Sequence, residues 1–220
     1  MKSSIQYYNL GVLAEEGTQD TSRHQKHAFW TIDPLDGTQF YVEGKEGFAV
    51  SIALVSKTGE PILGVVYNPV NDTLYHAFKG QGLYINDLPH SSKNNNITQQ
   101  KMTLYADKSI ERHPLFEHFQ SSFDIQYSGG AVMNSIHVLT TSNACYFKLP
   151  KDSIGGGAIW DFAAVTVMLQ EAKGNISFFD GTAFQLNRDQ SVYFNDVGLM
   201  MTSHDVEYEQ VIELIHTHRH

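Results

Sequence analysis

Phe29-Trp30-Thr31-Ile32-Asp33-Pro34-Leu35-Asp36-Gly37-Thr38 (FWTIDPLDGT, residues 29–38) runs a short apolar strand into two carboxylates three residues apart. Pro34 fixes its own φ and pushes Asp33 towards an extended backbone. Gly37 permits a tight turn, and Thr38 is a good helix N-cap. The stretch therefore predicts a strand-to-helix corner that carries both Asp33 and Asp36. Two adjacent carboxylates raise one another's pKa unless a cation neutralises them, and a set of hard oxygen donors selects Mg²⁺ or a similar ion. The N–H groups at the following helix start suit a phosphate oxygen. Taken alone, the same residues also fit an Asx-turn at Asp33 followed by an ordinary turn at Asp36-Gly37.

Around this corner the chain alternates. FAVSIALV (48–55) and ILGVVYNPV (62–70), separated by KTGEP, predict an antiparallel hairpin, and TLYHAFKGQGLYIND (73–87) predicts another. The polar stretch SSKNNNITQQK (91–101) breaks the pattern and divides the chain into halves, 1–100 and 101–220. Beyond it, MTLYA (102–106) and NACYFKL (143–149) are strand candidates. Helical spacing marks GGAVMNSIHVLTT (129–141) and WDFAAVTVMLQEA (160–172), the latter stopped by Lys173-Gly174. KLPKDSIGGG (148–157) is a loop leading into Trp160-Asp161, and the terminal HTHRH (216–220) is a solvated tail despite its metal-like spacing.

Composition narrows the function. The 220 residues carry a formal charge of -9, with 15 Lys and Arg against 24 Asp and Glu. That balance argues against nucleic acid or an anionic membrane as the main partner. An anionic substrate would need metal cations to admit it. The single cysteine, Cys145, excludes an intramolecular disulfide framework and suits a reducing compartment. No apolar run approaches the roughly 18 residues of a membrane span, and MKSSIQYYNL lacks the core of a signal peptide. The expectation is a cytoplasmic protein.

The ordered set GVLAEE, WTIDPLDGTQFYVEG, FAVSIALV, GVVYNPV, KGQGLYIND and IWDFAAVTVMLQEAKG resembles the inositol monophosphatase superfamily of metal-dependent phosphatases over nearly the whole chain. DPLDGT and IWDFAA are similar to the bacterial 3′(2′),5′-bisphosphate nucleotidase branch. The resemblance implies a layered α/β sandwich, an antiparallel sheet in the first half and a smaller mixed sheet in the second, with the active site between them. It implies that Glu16, Asp33 and the Leu35 carbonyl hold one Mg²⁺, and that Asp33, Asp36 and Asp161 hold a second. Glu16, Asp33 and Thr38 would be the catalytic groups, and Gly37 and Thr38 would meet the phosphate.

Gly129, Gly130 and Ala131 correspond to the turn that touches the substrate's sugar in the family, although close packing of a helix start explains them equally. Lys148 and Lys151 would face a second phosphate, or else are simply solvated. The activity implied is a Mg²⁺-dependent phosphomonoesterase acting on a small phosphorylated metabolite, first among them 3′-phosphoadenosine 5′-phosphate, with an inositol or sugar phosphate as alternative.

Ile154 stands where inositol-specific members carry a Glu, which disfavours inositol. A homodimer is also suggested. Only fifteen residues precede Glu16, where relatives carry a longer helical segment that supplies an Asp partner to the DGT threonine. Thr38 is thus expected to lack that partner, and one apolar sheet face to need a subunit or Met1 to Leu10 as cover. The same feature supports an alternative reading as a truncated, inactive metal- or ligand-binding member. Lys173 replaces a family Gly, with Gly174 left to cap the helix.

Overall fold

Alternation of period two builds the first half. In a computed structural model that describes residues 10–17, 21–91, 101–155, 157–189 and 191–216, its strands are Gly11–Ala14 (β1), Ala28–Asp36 (β2), Ala49–Ser56 (β3), Pro61–Asn68 (β4), Thr73–Phe78 (β5), Leu83–Ile85 (β6) and Leu88–His90 (β7). They pair in that order, β1 parallel to β2 and all other neighbours antiparallel. In β3, Ala49, Ser51, Ala53 and Val55 are buried, and Val50, Ile52 and Leu54 between them are only half-buried. Trp30, Ile32 and Val65 share that half-buried face through the β2–β3–β4 register. The segment expected to cover it, Met1 to Leu10, lies almost wholly outside the described residues, as does the tail 217–220.

The second sheet begins at Met102, and residues 92–100 of the expected boundary are outside the described set. Met102–Tyr105 (β8), Phe123–Gln126 (β9), Ala144–Lys148 (β10), Asn175–Phe178 (β11) and Leu199–Thr202 (β12) form a mixed sheet ordered β11-β12-β10-β8-β9. β10, β8 and β9 run parallel, and β12 is antiparallel to both of its neighbours.

The helices are Thr38–Val42 (α1), Phe116–Ser122 (α2), Ala131–Thr140 (α3), Ile159–Glu171 (α4) and Tyr208–His216 (α5). α4 is apolar on nearly every side, which is the pattern of a helix buried all round. It lies on β2 to β5, with α3 and β11 on its other flank. Its backbone comes so close to β4 that a side chain at Gly64 would place a Cβ 2.4 Å from the Ala164 oxygen. A single core therefore includes Ala53 and Val66 of the first sheet, Val167 of α4 and Tyr146 and Met201 of the second. A further cluster of Phe119, Phe123, Phe147, Met200 and Ile215 joins the second sheet's outer face to α2 and α5. The result is a layered α/β sandwich: sheet, helices, sheet, helices. Among the described residues no helix is long and apolar enough to cross a membrane.

The end of α4 differs from expectation. The left-handed residue is Lys173, at φ 64°, and not Gly174. Gly174 is instead required by space, since a Cβ there would lie 2.6 Å from Leu169 Cδ1 and 2.7 Å from the Thr202 oxygen. A non-glycine residue in the left-handed region costs roughly 1–2 kcal/mol, and the extra unfolded freedom of a new glycine returns about half of that. Lys173→Gly should therefore stabilise the protein by about 0.5–1 kcal/mol in urea titration with an unchanged m-value. A loss of stability would show that the Lys173 side chain contributes more than its backbone strain.

Candidate active site

The site is assembled from four segments. β1 lies parallel to β2 with Ala14 opposite Ile32, and the Glu15 N–H donates to the Ile32 carbonyl at 3.1 Å. This register carries Glu15 to Asp33. Glu16 follows in the turn after β1, which the Gly17 N–H closes by donating to the Ala14 carbonyl at 3.2 Å. The structure thereby corrects the expected position: Glu15 lines the cavity beside Asp33, and Glu16 does not.

β2 runs through the whole acidic turn and ends at Asp36, with a register shift against β3 between Asp33 and Asp36. The shift occurs where Pro34 offers no N–H to the ladder. Asp33 is 1% exposed, and its Oδ1 accepts the Leu35 N–H at 2.9 Å. The Asx-turn thus exists and serves to orient the carboxylate. Asp36 is buried and accepts the N–H groups of Ala131 (3.2 Å) and Val132 (2.9 Å) in the first turn of α3. Helix N-termini favour such anions.

Gly37, at φ 79° and ψ 34°, is the N-cap of α1, a backbone that suits glycine. Thr38 is therefore the first helical residue and not the cap, and its hydroxyl donates to the Leu35 carbonyl at 3.1 Å. A Cβ on Gly130 would lie 2.4 Å from Asp36 Oδ2. Gly129 packs equally tightly on Gly47. These two glycines stand behind Asp36, and only Ala131 of the three reaches the cavity.

Asp161 arrives on the first turn of α4, its Oδ2 accepting the Ala158 N–H at 2.8 Å. Asp33, Asp36 and Asp161 each bring an oxygen within 4.8 Å of the others. They line a cavity of about 380 Å³ together with Glu15, Leu35, Gly37, Thr38 and Lys148. Tyr193 also lines it, its ring edge-on to Trp160 at 5.8 Å.

Burial and mutual repulsion push every carboxyl here upward. Asp33 rises to about 6, through burial and then the Asp161 charge, and Asp161 rises to about 6 through burial. Glu15 rises to about 7, through burial and then the Asp33 charge. Asp36 lies well above the carboxylate range, for burial and the charges of Asp161 and Asp33. Lys148 opposes this at Asp36 and Asp161, but its Nζ is already paired with Asp107 Oδ2 at 2.5 Å. One shared ammonium against four acidic side chains leaves a site whose donors are all hard oxygens and whose charge calls for cations. The residues present fit a divalent metal.

Asp107 and Tyr193 carried no signal in the sequence. Glu15 had one, since it stands next to Glu16, but choosing between them needs the register of a parallel strand pair.

A helical layer between two sheets, with carboxylates at the end of β2 and the start of α4 facing the start of α3, defines an α/β-sandwich protein with an acidic centre able to hold a metal ion. More narrowly, the chain belongs to the inositol monophosphatase family, whose profile matches residues 2–220 and whose members are metal-dependent phosphatases. It is 27% identical to the inositol-1-monophosphatase of Bacillus subtilis over 187 residues, covering 82% of this chain and 68% of that one. It is 26% identical to the 3′(2′),5′-bisphosphate nucleotidase CysQ of Haemophilus influenzae over 182 residues, covering 80% of this chain and 65% of the relative. Among solved structures it resembles the staphylococcal protein SaIMPase-II with inositol monophosphate bound, at 26% identity and a TM-score of 0.76, over 97% of this chain and 80% of the other. The same staphylococcal protein is known with 2′-AMP bound.

The shifts set a pH dependence for the metal-free protein. Carboxyls whose folded pKa is raised contribute stability at low pH, below their unfolded values near 4, and lose it as pH rises through about 6 to 7. The metal-free chain should melt at a lower temperature at pH 8 than at pH 5.5. Millimolar Mg²⁺ should restore several degrees at pH 8 and little at pH 5.5. Equal cation effects at both pH values in a thermal melt would contradict a carboxylate metal centre.

Proposed function

We propose that this protein is a Mg²⁺-dependent phosphomonoesterase acting on a small phosphorylated metabolite, with 3′-phosphoadenosine 5′-phosphate as the first-choice substrate. The observation that carries the reading is the convergence of Asp33, Asp36 and Asp161 within 4.8 Å, with Glu15 at their edge. Glu15 takes the role expected of Glu16. With Asp33, the Leu35 carbonyl, Asp36 and Asp161 it would hold the Mg²⁺ ions. Bound there, the ions supply an activated water and Lewis-acid stabilisation of the leaving oxygen.

The chain's own groups do the rest. The α3 N–H groups and the Leu35 N–H keep the Asp36 and Asp33 carboxylates aimed, so little reorganisation accompanies substrate entry. The Thr38 hydroxyl donates its proton to the Leu35 carbonyl in a hydrogen bond, which leaves its oxygen to accept a hydrogen bond from a water and orient it. Gly37, Thr38 and Ala131 border the place for the phosphate, and Lys148 offers its ammonium to phosphate oxygens. We read the protein as cytoplasmic and as a homodimer.

The nucleotide assignment is supported by the nucleotidase relative and by the 2′-AMP complex of the staphylococcal neighbour. Ile154, 79% exposed, offers no polar group to an inositol ring. An inositol phosphate is the alternative, favoured by that neighbour's inositol monophosphate complex.

Phosphate release with Mg²⁺ from the bisphosphate nucleotide, inositol 1-phosphate and fructose 1,6-bisphosphate should show the nucleotide first. No release from any of the three by folded protein would end the proposal. Asp36→Asn should reduce turnover by roughly two orders of magnitude or more. Glu15→Gln should also cripple it, while Glu16→Gln, an exposed change, stays within about a factor of two or three. The reverse ranking of the two glutamates would overturn the site built above.

A further inference from the structure

Among the described residues, Lys148 is the one cation that lines the acidic cavity. Its charge reaches two of the carboxylates gathered there, since it holds the Asp36 and Asp161 carboxyls down against burial. An ammonium on a flexible four-carbon stem has the reach to turn inward and pair with such groups. A lysine paired with them would compete directly with a metal ion.

The structure shows a different pairing. Lys148 Nζ donates to Asp107 Oδ2 at 2.5 Å, its one ion pair among the described residues. The ammonium also lies 5.7 Å from the centre of the Tyr146 ring. The stem passes Gly157, where a Cβ would stand 3.2 Å from Lys148 Cδ.

Asp107 is placed to hold it. It stands at the start of the short 3₁₀ helix Lys108–Arg112, where an Asp side chain commonly caps, yet it makes no capping bond. Its carboxylate is given to β10 and α3 instead. The Tyr146 hydroxyl donates to its two oxygens at 3.2 and 3.4 Å, and Asn134 Nδ2 donates to Oδ1 at 3.5 Å. Tyr146 and Asn134 are both 0% exposed, so these supports are fixed. Burial, followed by the Asp107, Asp36 and Asp161 charges, pushes the Tyr146 phenol well above its usual range and keeps it a donor. Asp107 thus has neutral donors from the core on one side and Lys148 on the other.

We propose that Asp107 is a positioning residue that holds Lys148 away from Asp36 and Asp161, so that a divalent cation can enter the acidic centre. The proposal rests on the metal reading above and goes beyond it: the chain carries its own competitor for the cation, and a carboxylate from the second sheet restrains that competitor. Without Asp107, the Lys148 ammonium turns to the unneutralised carboxylates, which favour any nearby positive charge. A cation then binds only the fraction of molecules in which the lysine is elsewhere, and its apparent affinity falls. Held by Asp107, the ammonium keeps two of its three N–H donors for a phosphate.

The test measures Mn²⁺, which suits the same oxygen donors, by electron paramagnetic resonance of the free ion. It uses the full chain at pH 8 with no substrate present. Asp107→Asn, nearly isosteric at a side chain 30% exposed, should raise the apparent dissociation constant about tenfold. The same change made in Lys148→Met should stay within about twofold of Lys148→Met alone. Lys148→Met by itself should bind at least as tightly as wild type, and circular dichroism checks the folding of each variant. Unchanged affinity in Asp107→Asn, or weaker binding in Lys148→Met, overturns the proposal. An equal loss in both backgrounds also overturns it, because Asp107 would then act through its own charge and not through Lys148. A wild type that binds no Mn²⁺ removes the metal reading and this inference together. The readout needs no turnover, so a failure of the phosphatase reading alone leaves the inference intact.

Discussion

Three carboxylates held within 4.8 Å of one another and largely out of water are the constraint around which this protein is arranged. Such a cluster is unfavourable in isolation, because burial and like charge both penalise the ionised forms. The fold answers it with backbone donors aimed from three directions: Leu35 at Asp33, the start of α3 at Asp36 and the residue before α4 at Asp161. Each donor sits at a helix start or a turn, where N–H groups lack partners within the element. The acidic centre and the helix ends thus satisfy one another, and the remaining charge deficit is the binding energy available to a cation.

The same constraint explains residues that look unrelated in the chain. Gly130 has no side chain because Asp36 Oδ2 occupies the space where a Cβ would be. Gly47 accepts the Gly130 N–H at 2.8 Å and so locks the segment after α1 to the start of α3. α4 is apolar on almost all sides because it forms the layer between two sheets, and it delivers Asp161 from that buried position. A helix so enclosed cannot shift easily, which keeps one corner of the acidic centre in register with β2.

Much of this was legible in advance. β2 to β6 follow from the strand patterns around the acidic corner, β8 and β10 from MTLYA and NACYFKL, and α3 and α4 from helical spacing over 129–141 and 160–172, whereas β1, β7, β9, β11, β12, α2 and α5 were not read in advance. DPLDGT with a distant Trp-Asp pair pointed to the acidic centre through the family resemblance that the pieces carry together, each being weak alone. Local reasoning failed where two neighbours compete for one role. Glu15 and Glu16 are chemically identical, and Gly37 takes the cap from Thr38 because the turn needs a left-handed backbone there. Lys173 took the left-handed position because packing against Leu169 and Thr202 had already claimed Gly174.

By itself the sequence determined β2 to β6, β8, β10, α3 and α4, the sign of the charge at the corner and the chemical type of the ligands, since these depend on residue identity and on periods of two and 3.6. Only the tertiary structure decided which carboxylates meet, because that depends on the parallel β1–β2 register and on α3 and α4 arriving from residues 95 and more positions away. It alone disclosed Asp107, which pairs with Lys148 at the border of the cavity, and Tyr193 beside it. Contacts across such separations leave no periodic trace, and the burial that raises the carboxyl pKa values exists only once the layers have closed over them.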